Sequence, residues 1–583
     1  MSFSTQPNHL GRPRGAGFLE VREVRDRVMA ADYTHFANDR QTPAPAVCSL
    51  APSGHNGRHE HLHSESTLEG SPVSQSLIAA LQNPALFPHP VENFRVIETH
   101  ISWVLLTGSY AYKFKKPVNF GFLDFTTLAA REHFCNEELR LNQRLTEGLY
   151  LEVIPVTGSE EAPQLGGSGE VIEYALKMRQ FSQEGLLSSL QAKGELTVGH
   201  IDELARQIAD AHLSVPTVTT ENELGSPDSV MAPVLQNFEQ IRPFLSEKAD
   251  LLQVDSLQAW AESSFERLKP LLAQRKADGF IRECHGDIHL GNATVIDGKV
   301  VIFDCIEFNE PFRMTDVYAD IGFLAMDLED RGLKSLSRRL ISQYLEQTGD
   351  YAGLELLNFY KAYRALVRAK VALFSQPADA DEAQRAATLS KYRNYANLAE
   401  SYSAIPSSFL AITHGVSAVG KSHVAMRLVE SLGAIRLRSD VERKRLFAES
   451  AELYGAETSK ATYDRLHALA ETILRAGFSV VVDATYLKRE QRNAAAKAAE
   501  TTGVPFLILD CEAPQAVIAG WLKQRQEQGS DPSDATLEVI ETQQASREPL
   551  EADEILRSKH VETSKSSNLE ELVENLRQRL PGL

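Results

Sequence analysis

Apolar and polar positions alternate over residues 95–106 and again over 110–115, with Thr107-Gly108-Ser109 between the two runs. Alternation of period two marks a half-buried strand, and a glycine between two such runs marks a tight turn, so the stretch predicts a β-hairpin turning at Gly108. The period then becomes helical over 128–145, where Phe134, Glu138, Leu141 and Leu145 fall on one stripe. Residues 171–178 predict another strand, and 197–402 are mostly helical except at 283–304. Past a break at 401–408, which holds Pro406, short strand-like runs at 409–413, 434–438, 479–483 and 505–510 alternate with helical stretches. That alternation predicts a parallel sheet flanked by helices. Residues 1–75 show little periodicity and are rich in Pro, Gly, Ser, His and charge, which predicts a disordered or accessory extension with at most a short helix at 17–31.

Two phosphate-handling signatures lie on this framework. The first is His285-Gly286-Asp287-Ile288-His289-Leu290-Gly291-Asn292, followed by the strand-like Val300-Val301-Ile302-Phe303-Asp304. In kinase-type phosphoryl transfer an Asp orients the acceptor hydroxyl, an Asn five residues on binds Mg²⁺, and an Asp after the next strand joins the metal to the ATP phosphates. Asp287, Asn292 and Asp304 have that spacing, and a hairpin through Asp297-Gly298 would return the chain to the same cleft. Such a fold also needs a lysine held by a helix glutamate. Tyr110-Ala111-Tyr112-Lys113 has the pattern of a strand ending in that lysine, and Glu138 is a charge on an apolar stripe that calls for a buried partner. Lys115 shares the face of Lys113, so the choice between them stays open, as does a surface ion pair of Glu137 or Glu138. The strand ending in Lys177-Met178 is where a hinge reading adenine through its backbone is expected.

The stretch ECHGDIHLGN…VIFDCIEFNEPFRMTDVYADIGF resembles the aminoglycoside phosphotransferase family, a large group of kinase-like enzymes that also includes choline, fructosamine and methylthioribose kinases. The resemblance implies an α+β, protein-kinase-like two-lobed domain, with a small lobe over about 76–178 and a large lobe over about 179–405. It makes His285 structural, Asp287 the base, Asn292 and Asp304 the metal ligands, Asp320 the anchor of the catalytic loop and Glu307 an auxiliary acidic group. No G-x-G-x-x-G loop and no A-P-E segment is present, which favours a small-molecule kinase over a protein kinase.

The second signature is Gly415-Val416-Ser417-Ala418-Val419-Gly420-Lys421-Ser422, after the apolar run 409–413 and before a helical pattern. This is the strand–loop–helix context of a P-loop: glycines bring backbone N–H groups against phosphates, Lys421 supplies charge, and the Ser422 hydroxyl ligates Mg²⁺. Val480-Val481-Val482-Asp483 is an apolar strand ending in a carboxylate, so Asp483 is a candidate for the metal shell. Asp440 follows the strand at 434–438 and is a candidate base for an acceptor hydroxyl, or else a cap of a helix starting at Val441. Lys523 and Arg525 precede a polar loop and read either as lid cations or as a solvated helix face. The VVVDAT and LRSD segments resemble P-loop kinases grouped with zeta toxins, polynucleotide 5′-kinases and shikimate- or gluconate-like kinases, which implies an α/β P-loop kinase domain over 406–583. His414, where many relatives have glycine, and Trp521, where they often carry a basic lid residue, depart from that pattern. The order of the two parts, with THISWVLLTGSYAYKFKKPVNFGFLDFTTL ahead of them, resembles a bacterial family of bifunctional aminoglycoside phosphotransferase/ATP-binding proteins.

Composition narrows the rest. Hydrophobic content of 43% and charged content of 24% suit packed cores, and a net charge of −19 argues against non-specific binding to nucleic acid or anionic membrane. The five cysteines are scattered with no CxxC pair, which argues against a disulfide framework or zinc site and for reduced thiols in a cytoplasmic protein. No apolar run is long enough to span a bilayer, and the start lacks a secretory h-region. His55, His59, His61 and His63 read as a solvated tract or a metal-binding one, the former favoured because no carboxylate cluster accompanies them. The expectation is an ATP- and Mg²⁺-dependent phosphotransferase with two ATP sites and hydroxyl acceptors of small size, with the oligomeric state open. Two alternatives stand beside it: one module regulates the other by binding nucleotide, or the P-loop module is a 5′-hydroxyl or nucleotide-sugar kinase.

Overall fold

A computed structural model describes residues 75–579 apart from 122, 378, 405, 449–453 and 529–535. The extension predicted over 1–75, its short helix, its histidines and Cys48 therefore lie outside the described residues, save for Gln75 itself. The chain forms two compact units, one ending its first segment at Leu139 and adding Gly148–Gln180 and Lys370–Lys391, the other comprising Arg140–Glu147, Phe181–Ala369 and Tyr392–Leu583.

The first unit is built on an antiparallel sheet of β1 (Arg95–Glu98), β2 (Ser102–Leu106), β3 (Tyr110–Lys115), β4 (Tyr150–Gly158), β5 (Pro163–Leu165) and β6 (Val171–Arg179), in the order β1-β2-β3-β6-β4-β5. The hairpin turns at Gly108, whose φ of 95° only glycine adopts easily, and it registers Trp103 with Phe114 and Leu105 with Tyr112. Those four side chains bury into one core with Leu77, Ile78, Val156 and Ala175. Period two therefore sends Lys113 and Lys115 to the other face, where helix α1 (Leu128–Gln143) brings Glu138.

In the second unit, helix α2 (Val198–Ser214) precedes a β7 strand (Ile281–Glu283), a hairpin of β8 (Ala293–Ile296) and β9 (Lys299–Ile302), and β10 (Met314–Asp316), which pairs with β7. The hairpin turns through Asp297 and Gly298, both at positive φ (52° and 77°), the conformation that a two-residue turn between twisted strands demands. Helices α3 (Val317–Asp330) and α4 (Lys334–Thr348) follow. α3 is buried along nearly its whole length and carries Asp320 and Asp327 into the interior.

Further along the same unit run β11 (Leu410–His414), α5 (Lys421–Leu432), β12 (Ile435–Arg438), α6 (Ser439–Leu446), α7 (Ala456–Arg475), β13 (Val480–Asp483), β14 (Phe506–Glu512), α8 (Gln515–Gln528), α9 (Leu537–Ser546) and β15 (Ser558–Glu562). The strands form a wholly parallel sheet in the order β12-β13-β11-β14-β15. β11 and β13 are buried at every position, because central parallel strands are covered on both faces, and this is why they read as unbroken apolar runs. The sequence pattern does not reveal β15, an edge strand of polar composition (SKHVE). Cys135, Cys284, Cys305 and Cys511 are buried free thiols, and no helix among the described residues is long and apolar enough to cross a membrane.

Candidate active sites

β7 delivers the chain into His285-Gly286-Asp287, and α3 fixes the turn. The buried Asp320 carboxylate accepts from the N–H groups of His285 and Gly286, each at 2.9 Å, one on each oxygen. His212 Nε2 of α2 lies 3.2 Å from Asp320, and its Nδ1 lies 2.9 Å from the Tyr344 hydroxyl of α4. Burial alone would push the Asp320 carboxyl up, but the His212 contact and the neighbouring ring charges hold it below the ordinary range. His212, Cys284 and Asp320 converge as metal ligands do. Both ring nitrogens and both carboxylate oxygens are already engaged, so the trio is an anchor for the loop.

Asn292 Nδ2 donates to the Asp287 carbonyl at 3.1 Å and to its carboxylate at 3.3 Å. The Phe303 N–H donates to the Asn292 carbonyl (3.0 Å) and the Ile306 N–H to the His285 carbonyl (3.0 Å), so the β8–β9 hairpin returns Asp304 to the loop bearing Asp287 and Asn292. Asp304 has φ 66°, left-handed backbone that costs a non-glycine residue about 1–2 kcal/mol. His285 accepts from the Asp287 N–H at Nδ1 (3.3 Å) and donates from Nε2 to the Phe303 carbonyl (2.9 Å), which gives it the structural part expected of it. The Asp287 side chain is 37% exposed. Burial opposes its ionisation, yet His289 and then the Arg368 charge hold the carboxyl well below the usual carboxylate range. An anionic carboxylate in that state aligns a hydroxyl strongly and is a weak base.

In the first unit both lysines meet Glu138. Lys113 Nζ lies 2.6 Å from one oxygen and Lys115 Nζ 2.8 Å from the other, with side-chain exposures of 15%, 1% and 0% for Lys113, Lys115 and Glu138. Burial would raise the Glu138 carboxyl, but the two ammonium groups hold it well below its ordinary value. The surface ion pair considered for this helix is therefore replaced, for Glu138, by a buried triad. Met178 sits within β6, paired with Ala111 of β3 on one side and Tyr150 of β4 on the other.

The loop of Gly415–Ser422 is shaped as a cradle. A Cβ at Gly415 (φ 139°) would stand 2.6 Å from the Cys511 carbonyl, and Ala418 and Gly420 take φ 63° and 85°. Successive N–H groups turned inward by such angles form an anion nest. Val416 O accepts from Lys421 Nζ (2.6 Å), and Val419 O from the Thr563 hydroxyl (2.6 Å). A cavity of about 1020 Å³ opens over the loop, lined by Ser417, Ala418, Gly420, Lys421 and Ser422 and, across from them, by Arg438, Asp440, Tyr463, Asp483 and Trp521. That is at the upper end of single-ligand pockets, about 300–1,000 Å³, and leaves room for a nucleotide and an acceptor. Asp483 is 6% exposed, its Oδ2 accepts no hydrogen bond among the described residues, and Arg438 Nε lies 3.7 Å from it. A buried, unsatisfied carboxylate oxygen beside a serine hydroxyl and an anion nest is a donor set suited to Mg²⁺.

The structure bears on three of the readings here. Asp440 does not cap a helix: α6 starts at Ser439 with Arg438 before it, and Asp440 lies in its first turn, facing the cavity. Lys523 is exposed, whereas Trp521 lines the cavity beside Gly420; Arg525 lies in α8, its side chain outside the described residues. His414 is fully buried, its Nε2 accepting from Arg547 Nε (3.1 Å) while Nδ1 donates to the Tyr486 carbonyl (3.1 Å). Sequence reasoning missed Gln543 of α9, which accepts from the Ser417 N–H (2.7 Å) and donates to the Ser417 hydroxyl (3.1 Å). No local pattern marks a glutamine more than a hundred positions from the loop that it clasps.

Residues 177–357 match the profile of the Phosphotransferase enzyme family, and residues 410–550 that of an AAA domain. The chain thus joins a kinase-like phosphotransferase domain, of α+β fold, to an α/β P-loop domain, and by these domains it is a phosphotransferase. The uncharacterized Mycobacterium tuberculosis protein Rv2004c is 29% identical over 472 residues, 77% of this chain and 90% of that protein, and the Mycobacterium bovis protein Mb2027c gives the same figures. Among solved structures, a choline/ethanolamine kinase family protein from Mesorhizobium loti aligns over 55% of this chain and 98% of its own at 13% identity, with a TM-score of 0.35. The Mycobacterium tuberculosis APS kinase, solved with AMPPNP and APS, aligns over 30% of this chain and 97% of its own at 21% identity, with a TM-score of 0.23.

Proposed function

We propose that this chain is an ATP- and Mg²⁺-dependent kinase with two nucleotide sites, each transferring a γ-phosphate to a hydroxyl of a small-molecule acceptor in the cytoplasm. The observation that carries the reading is the state of Asp287: an anionic carboxylate bonded by Asn292, on a turn clamped through two N–H groups by the buried Asp320. Asp287 would align the acceptor hydroxyl and take its proton at a carboxylate oxygen, while Asn292 and Asp304 would hold Mg²⁺. Lys113, the more exposed partner of Glu138, supplies a cation for nucleotide phosphates, and the fully buried Lys115 holds the glutamate. In the P-loop, the N–H groups from Gly415 to Ser422 and the Lys421 ammonium would receive phosphates, Ser422 and Asp483 would hold Mg²⁺, Asp440 would accept the acceptor proton, and Arg525 stands as the candidate lid cation. When bound, Mg²⁺ supplies charge neutralisation at the transferring phosphoryl group.

The test is transfer of the γ-phosphate by the purified full chain into a metabolite extract, read as a mass gain of about 80 Da on the acceptor. Asp287→Asn is expected to remove one set of products and Lys421→Ala another. ATP turnover that persists undiminished in the double variant would sink the reading.

A further inference from the structure

Spacing of four puts Tyr360, Arg364 and Arg368 on one face of the helix Leu354–Phe374. A cavity of about 590 Å³, the size of a small-molecule site, lies between that helix, the helix Pro227–Ile241 and residues 311–315. Tyr360, Tyr363, Arg364 and Phe312 line it, together with the exposed Gln236 and Glu239. The cavity adjoins the loop that bears Asp287. A Cβ on Gly286 would stand 3.2 Å from the Phe312 carbonyl oxygen. The Arg364 guanidinium lies over the Phe323 ring of α3 (4.9 Å), Phe323 meets the His289 ring (6.1 Å between centroids), and His289 Nε2 lies 3.5 Å from the Asp287 carboxylate.

Arg364 is 7% exposed. Its Nε donates to the Ala319 carbonyl (3.2 Å), and the Tyr363 ring centre lies 5.4 Å from the guanidinium carbon. Among the described residues its terminal amino groups have no hydrogen-bond partner and no carboxylate pairs with it. Arg131, Arg275, Arg313, Arg436 and Arg492 are also buried, and each meets a carboxylate. A guanidinium taken out of water without an anion is unfavourable, so an anion that arrives from solution is strongly held. The Tyr360 hydroxyl, on a side chain 1% exposed, has no partner among the described residues either.

We propose that this cavity holds the acceptor of the first site and that Arg364 receives an oxyanion on it, so that the acceptor is a small hydroxyl compound bearing a carboxylate or a phosphate. The proposal rests on the reading of Asp287 as the group that aligns the acceptor hydroxyl. With Nε given to Ala319, the Nη1–Nη2 edge remains, and such an edge matches the two oxygens of a carboxylate or phosphate. The guanidinium is already desolvated and braced by two rings, so little ordering opposes binding. A cationic acceptor such as choline would meet a like charge there.

The experiment uses the full chain with Lys421→Ala, which leaves the Asp287 site as the source of transfer. A metabolite extract is divided on a strong anion exchanger at neutral pH, and the retained and unretained pools are each incubated with ATP and Mg²⁺. Mass gains of about 80 Da that disappear in Asp287→Asn are expected from the retained pool. Gains chiefly from the unretained pool overturn the proposal. Treating the retained pool beforehand with alkaline phosphatase separates the two sources: an acceptor that survives bears a carboxylate, and one that is lost bears a phosphate ester. On the acceptor so found, Arg364→Gln is expected to raise KM by about ten- to hundredfold while kcat stays within about threefold. An unchanged KM in that variant overturns the assignment of Arg364. Should Arg364→Gln not fold, the division of the extract decides, since it needs no change in the cavity. Absence of any Asp287-dependent product from both pools refutes the reading of Asp287 instead, a result distinct from all of these.

Discussion

Replacing Glu138 with glutamine keeps the shape of the side chain and removes one charge from the centre of a buried triad. The carboxylate is fully buried between ammonium groups at 2.6 and 2.8 Å. A glutamine amide offers its oxygen to one lysine and turns its NH₂ toward the other. Lys113, 15% exposed, can swing outward, but Lys115 at 1% cannot. Removing one partner of a buried pair costs about 3–5 kcal/mol, because the charge left behind is uncompensated. With one lysine able to reach water, the cost should lie near the lower end, about 3 kcal/mol. Native-state hydrogen exchange of the β3 and α1 amides reads this locally, and it should show protection reduced by roughly two orders of magnitude. Lys115→Met added to Glu138→Gln should restore most of that protection by removing the fully buried ammonium, whereas Lys113→Met should not. The lysines hold the Glu138 carboxyl below its unfolded value, so its contribution is complete above the unfolded pKa of about 4.3 and is lost as pH falls through the lower native value. The gap between wild type and Glu138→Gln should therefore narrow in acid. Unchanged protection in Glu138→Gln, or equal rescue by the two lysine substitutions, refutes the reasoning.

Asp287→Asn, at a side chain 37% exposed, should cut first-site turnover by about 10²–10⁴-fold and leave the melting temperature in place, which kinetics and calorimetry together check. Asp320→Ala strands two buried N–H groups at about 1–3 kcal/mol each, so it should lower both turnover and thermal stability, and a loss of turnover alone would contradict its anchoring part. Burial, then the Arg547 charge, press the buried His414 down to about 4 from an ordinary value near 6.5. Protonation then favours the unfolded chain, so stability is full above about pH 6.5 and falls by about 3 kcal/mol as pH drops to 4; His414→Gln should flatten that slope in hydrogen exchange of β11.

Local chemistry was legible in the sequence because it is written in short spans. The Gly108 hairpin, four strands of the parallel sheet, the spacing from Asp287 to Asp304 and the Gly415–Ser422 loop each depend on residues within about one element of one another, where backbone sterics and side-chain period dominate. Alternation even put Lys113 and Lys115 on one face, yet it could not choose between them. The fold answers with both, since the buried Glu138 has two oxygens and each takes one lysine. Tertiary structure alone decided what depends on distant segments meeting. The edge strand β15 is polar because one side of it faces solvent, so it carries no apolar signal. Gln543 reaches Ser417, and Arg364 reaches the Ala319 carbonyl, only because helices far apart in sequence pack on that loop and on α3. A hydrogen bond fixes the direction of a polar side chain within a few ångströms, and no spacing along the chain encodes which segment will be there to receive it.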